Sequence, residues 1–446
     1  MHISNTFRAE DTDFHQHVFP VHLPQLQALA LRVLTQRHTA VHIDLYDPDG
    51  CLRLQVMRYQ EGGSPWCVLA EETKHCSVNA LAGSLLEGIW RIHLQSRCSA
   101  KGCESACSVE LLQNPVLEPH EYMPLCEYSF PVSQQETQGH GWLRGEMHSH
   151  TSMSDGTATP TERMQGFQAR GGDFCAVTDH NTLPMGWVSP SIPVLRGMEL
   201  TLPNGHFNLL GLKHAFPFNH MNQCEDVMGL LRRLKSQGVL CVLNHPCFAP
   251  WHLRWQNFDY SCVDALEIIC DPTHANSAGA TIDALSLWDT LLNHGMRIWG
   301  IGGSDCHFCE QRQERYEDSA IAGVVGDPSV YVFACRNEDS IINELKAGRF
   351  TVSRAGHLFS ESKDGIIQVV LYRNQDPVTC FLGQDFSARL IADGKTVASE
   401  SLTSCVPCFL PSVKSANWTR IELWHKEFGL IAFTNPAFNE EEDEQG

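Results

Sequence analysis

His148 and His150 stand two apart in the stretch GEMHSHTSMSDG at positions 145–156. On a strand both imidazoles leave the same face, where they can grip one ion. Asp155 follows just beyond, where a tight Asp-Gly turn can bring a carboxylate back to the same cavity. Further along, apolar runs break into charge at their carboxyl ends, as buried parallel strands do. DFCAVTDHNT breaks at Asp179 and His180, GVLCVLNHP at His245, and RIWGIGGSDCH at Asp305 and His307. Between them PVLRGMELT carries Glu199 and HFNLLGL opens with His206, which, with Asp179 set aside, makes nine candidate metal ligands.

Imidazole and carboxylate without thiolate suit Zn, Mn or Fe. Nine ligands are too many for one ion, so two or three divalent ions bridged by a carboxylate are expected, with a bridging hydroxide as nucleophile. Such a centre suits phosphate esters, because cations neutralise the non-bridging oxygens and stabilise the leaving oxygen. Asp179, Asn244 and Ser304 are expected to orient the ligands from behind. Arg196, Arg254 and Arg354 are candidates for holding an anionic substrate, against the commoner reading of each as a surface arginine. Cys306, between two ligands, points away from them on a strand, and packing is its expected role.

Together, HSHTSMSDG, TDHN, GMELT with GHFN, NHP and GGSDCH resemble the successive motifs of the PHP (polymerase and histidinol phosphatase) metallohydrolases. The resemblance covers roughly 141–327 and implies a distorted (β/α)7 barrel with metals at the strands' carboxyl ends. Residue by residue, it puts His148, His150, Glu199 and Asp305 on a first metal, with Glu199 bridging to a second held by His206 and His245. Asp155, His180 and His307 would hold a third, and Asp305 and Glu199 become the catalytic carboxylates. The family often has histidine where Asp155 stands, which puts occupancy of the third position in question. LYDPDG, EGIWRIHL, KAGRFTVSRAG and LIADGKTV resemble the flanks of the carbaryl-hydrolase-like (CehA/McbA-type) branch, which implies an ester or carbamate as the alternative substrate.

Two other readings compete. Amidohydrolase barrels also begin with His-x-His, but they often place a carboxylated lysine in mid-barrel, where this chain offers Glu199. A non-catalytic module stabilised by metal is the third; against it, a structural ion is satisfied by four ligands.

The elements that position these groups are spread over 446 residues, enough for several domains and a substantial core. Residues 1–115 alternate in strand-like runs and suggest a β-sandwich, and 116–140 reads as a linker. From 141 to 327 strand-like and helical runs alternate, so the expected class is α/β. Its most legible helix has Thr159 as N-cap, Pro160 as first residue, Glu162 closing a capping box and Gly171–Gly172 as the end. Further helices are expected at 223–237 and 281–294, and a charged loop at 310–320 reads as solvated surface, the alternative being a lid that contributes Arg312 or Arg315. Residues 328–438 return to period two as a C-terminal β-rich domain, and 439–446 is an acidic tail.

The formal charge, 32 − 52 = −20, argues against nucleic acid as a tight partner and against an anionic membrane surface. The partner expected is a small-molecule ester or phosphoester. No apolar core follows a basic amino-terminal segment, and no eighteen-residue apolar run occurs, so a cytoplasmic location is expected. The nineteen cysteines read mostly as reduced, structural thiols. Cys98, Cys103, Cys107 and the Cys405/Cys408 pair lack a four-ligand zinc spacing.

Overall fold

The computed structural model describes residues 2–8, 15–36, 39–58, 61–98, 104–117, 122–124, 139–188, 191–216, 223–309, 323–373 and 385–439. Cys103, the Arg312 and Arg315 loop, the acidic run from Glu440 and most of 116–140 lie outside them.

At the amino end, a five-stranded sheet and a four-stranded sheet share one apolar core. Alternation supplies it: Leu29, Leu31 and Val33 from one sheet meet Val41, Ile43, Leu45, Ile92 and Leu94 from the other.

The site-bearing strands are β1 (Gly141–Glu146), β2 (Phe174–Val177), β3 (Val194–Leu202), β4 (Gly205–Leu210), β5 (Leu240–Leu243), β6 (Ala265–Cys270) and β7 (Trp299–Gly303). They follow one another in space, and β1 continues into β8 (Ser329–Ala334) and β9 (Phe350–Ser353) within a fourteen-stranded sheet. The helices are α1 (Pro160–Ala169), α2 (Cys224–Ser236), α3 (Ser277–Asn293) and α4 (Glu338–Lys346).

The expected (β/α)7 barrel, with a helix after each strand, is not shown among the described residues. The molecule is a strand-rich α/β protein with four α-helices among its described residues. Parallel pairing holds for β1 with β2, β2 with β3, β5 with β6 and β6 with β7, whereas β4 is antiparallel to both neighbours. The reason is local: only Pro203 and Asn204 separate β3 from β4, and a two-residue turn makes a hairpin, not a helical crossover. Reversal brings the start of β4, not its end, to the pocket mouth. At that mouth β1 and β7 meet through a parallel bridge between Ser149 and Cys306, with His150 N–H donating to Cys306 O at 3.0 Å.

Helix α1 forms as its sequence specifies. The Thr159 hydroxyl accepts from Glu162 N–H, the Glu162 carboxylate accepts from Thr159 N–H, and Gly171 takes φ +80° beyond the C-cap. Helix α2 buries Val227, Leu230, Leu231 and Leu234, the three-four spacing of an inward face. All cysteines whose side chains are described are free thiols, most of them buried. Among the described residues no helix is long and apolar enough to cross a membrane.

Candidate metal centre

The carboxyl ends of β1, β2, β5 and β7 and the β3–β4 hairpin bring all nine candidate ligands to one pocket. At its centre the Glu199 carboxylate, 1% exposed, faces five imidazoles. His180 Nδ1 is 2.7 Å from Oε2, His206 Nδ1 3.1 Å and His245 Nε2 3.3 Å from Oε1, and His148 and His150 Nε2 each 3.5 Å away. Asp305 Oδ1 lies 2.9 Å from His150 Nε2 and 3.3 Å from His148 Nε2. Asp155 sits 3.5 Å from His180 Nε2 and 3.4 Å from His307 Nε2, returned there by its turn. Gly156 permits that turn, since a Cβ on it would fall 2.7 Å from the His150 carbonyl.

Ligand atoms fall within 4.8 Å of one another in overlapping groups: His150, Asp155, His180 and His307; His148, His150 and Asp305; His148, Glu199 and His245. His206 belongs to none of these groups and contacts Glu199 instead. The residues fit divalent cations. Nε2 of His148, Nε2 of His150 and Oε2 of Glu199 are buried and crowd at 2.7–3.5 Å against neighbouring ligand atoms without a well-directed hydrogen bond, an arrangement that an ion relieves.

Electrostatics agree. Burial opposes ionisation of Glu199, yet His180, His206 and His148 hold its carboxyl well below the usual range; Asp305 is likewise held down by His148, His150 and His307. Burial also opposes charge on His148 and His180, but Asp305, Glu267 and Glu199 raise the first and Asp155 and Glu199 the second. His150, buried and beside His307 and His180, is pushed down to about 3. The carboxylates stay anionic and the central imidazole stays an electron-pair donor.

Behind the ligands, Asp179 accepts from Thr151 N–H at 2.8 Å, Thr151 Oγ1 at 2.6 Å and Ser154 Oγ at 2.6 Å, which pins the Asp155 turn. Asn244 Nδ2 donates to Glu199 Oε1 at 2.9 Å, and Ser304 Oγ donates to His148 O at 3.2 Å. Cys306 is fully buried in an apolar cluster with Met164, Phe167 and Val177, on the far side from the ligands. Asn181, His245, Asp271 and Asp305, all at strand ends here, have φ between 29° and 49°, strained values for non-glycine residues.

The arginines do not join the cluster. Arg196 lies on the opposite face of β3 from Glu199 and pairs with buried Glu338, Nη2 to Oε2 2.8 Å. Arg354 forks onto Asp327 at 2.9 and 3.2 Å, and Arg254 is exposed with Nη2 donating to Pro250 O.

Two buried carboxylates escaped the sequence reading. Glu146 accepts from the backbone N–H of Met147, His148, Ser304 and Gly326. Glu267 contacts both His148 and His245. An acid inside an apolar strand was the available signal, since it is rarely buried without partners.

No family model matches the chain, and no curated protein does. Among solved structures it is similar to a two-domain protein from Bacteroides vulgatus containing a predicted PHP-like metal-dependent phosphoesterase, at 16% identity and TM-score 0.40, over 67% of this chain and 96% of that one. It is also similar to a putative metal-dependent phosphoesterase from Bifidobacterium adolescentis, at 13% identity and TM-score 0.27, over 41% of this chain and 91% of that one. An amidohydrolase from Chromobacterium violaceum matches at 17% identity and TM-score 0.26, over 46% of this chain and 96% of that one.

Proposed function

We propose that this chain is a metal-dependent hydrolase of PHP type acting on small phosphate esters, with two or three divalent ions held by the nine side chains. The Glu199 carboxylate carries the reading: it is buried among five imidazoles, several with unsatisfied nitrogens, and cations satisfy such a set where apolar packing does not. His148, His150 and Asp305 would hold one ion, Glu199 and His245 with His206 a second, and Asp155, His180 and His307 a third. Bound there, divalent ions would supply Lewis-acid charge and a lowered pKa for attacking water. The protein's own contribution is placement. Glu199 and Asp305 keep negative charge between the imidazoles, and Asp179, Asn244 and Ser304 fix the segments that carry them. With Arg196 and Arg354 paired elsewhere, neutralising an anionic substrate falls to the cations.

One observation favours carboxyl-ester or carbamate hydrolysis as a second reading. An aromatic wall adjoins His245: Phe248 lies 6.5 Å from it, Trp251 stacks on Phe248 at 5.8 Å, and His274 meets Phe248 edge-on at 4.9 Å. Such a wall suits an aryl leaving group.

Purified protein should hydrolyse p-nitrophenyl phosphate or a cyclic phosphate when supplied with Mn, Zn or Fe. Activity should vanish with chelator and in Asp305→Ala. Turnover of aryl esters or carbamates alone would select the second reading; no turnover of any of these with any of the three metals would sink both.

A further inference from the structure

Resting on the reading of the cluster as a divalent-ion site, we infer that Glu267 is a positioning residue that ties two ligands, His148 and His245, into one unit. Glu267 stands inside β6 in the run ALEIIC and is 2% exposed. Its two oxygens serve different ligands. Oε1 lies 3.0 Å from His148 Nδ1, and Oε2 accepts from the His245 backbone N–H at 3.0 Å.

The first contact fixes which nitrogen of His148 carries a proton. A carboxylate can only accept from a ring N–H, so Nδ1 is the protonated atom and Nε2 is turned toward Glu199 and Asp305. Nε2 is also the nitrogen left buried without a hydrogen bond. The second contact restrains a strained residue. His245 takes φ 29°, and its N–H on a fixed carboxylate holds the turn that presents Nε2 3.3 Å from Glu199 Oε1.

The neighbouring strand makes room for the pair. A Cβ at Gly303 would fall 2.3 Å from His148 Cβ and 2.9 Å from Glu267 Oε1, so a side chain there would displace one of them. Pairing of β6 with β7 also shifts register between Glu267 and Ile269. His148, Glu267 and Cys270 themselves lie within ligand distance of one another, but the 3.0 Å contact commits Nδ1 to a hydrogen bond, which excludes it as an ion ligand.

Glu267→Gln separates the two roles of the carboxylate. The amide keeps one acceptor oxygen, and its NH2 cannot accept the second N–H. Nitrogen-15 spectra of histidine-labelled metal-free protein, with His148 assigned by its loss in His148→Gln, should show an exchange-protected proton on His148 Nδ1. In Glu267→Gln that protection should fall, or the His245 amide should exchange faster. Zinc or manganese affinity, read by competition with a chelating dye, should drop about 10- to 100-fold. Glu267→Asp, which keeps both acceptors, should recover part of the loss.

A wild-type His148 without a protected Nδ1 proton would overturn the inference, and this holds whether or not the variants fold. So would Glu267→Gln with wild-type ring protection, amide exchange and metal affinity. Ring protection is read without metal or substrate. A protein that shows it but hydrolyses nothing overturns the phosphoesterase reading alone; one that hydrolyses phosphoesters without it overturns the Glu267 assignment alone.

Discussion

Each histidine in the pocket has two nitrogens, and the partner of one decides what the other can do. His180 Nδ1 lies 2.6 Å from Thr201 Oγ1, while that hydroxyl donates to Glu199 O at 3.2 Å. The hydroxyl proton is therefore spent on the carbonyl, so Nδ1 is the donor, with Glu199 Oε2 also 2.7 Å from it, and Nε2 is the nitrogen that faces Asp155 at 3.5 Å. Thr201→Val should weaken binding of the ion next to His180 by about tenfold, seen in metal titration, and leave ions elsewhere in place. The ligands were legible because each is polar and interrupts an apolar run. Glu146 and Glu267 were marked only by standing as single acids within apolar strands, without the spacing that singled out the ligands. Arg196 was misread for the converse reason: its partner, Glu338, lies far along the chain.

Among the elements, α1 matters most to the pocket because it follows directly on the Asp155 turn. Arg163 on it reaches back, its guanidinium donating to His150 O at 3.1 and 3.2 Å and to Phe308 O at 2.9 Å. Thr159→Ala removes half of the capping box and should cost about 1 kcal/mol of stability in denaturant titration. The helix could be read in advance since caps, proline and glycine are local signals. Strand direction is not local. The period-two pattern of HFNLLGL is the same whichever way the strand runs, and only the turn at Pro203 and Asn204 discloses that β4 comes back along β3.

For the molecule as a whole, the sheet that carries the ligands runs on through β8 and β9 into the strands Gly429–Thr434, Trp418–His425, Asp385–Ala392 and Lys395–Thr403. That continuity was hidden in the sequence, because edge pairing between distant segments leaves no periodic trace. His357 packs in the seam, its ring 4.0 Å from Trp142 of β1 and 5.3 Å from Tyr331 of β8. Burial pushes its pKa down to about 4 from 6.5. The unfolded chain therefore binds this proton at a higher pH than the folded one, so the contribution to stability is complete above about pH 6.5 and fades as pH falls toward 4. The melting temperature of His357→Phe should fall less than that of wild type between pH 7 and pH 4.5; equal falls would remove His357 from the account.

The hairpin of β3 and β4 also orders events in time. Glu199 and His206 are brought together by a two-residue turn, a closure that isolated hairpins achieve in about microseconds. His148 and Asp305 meet only when β7 docks on the end of β1 from the far side of the chain, a much costlier loop to close. During refolding, that one pair is therefore expected to form early and the donors of the last strand to arrive late, and metal captured before the last strand seats would be held by an incomplete set of donors.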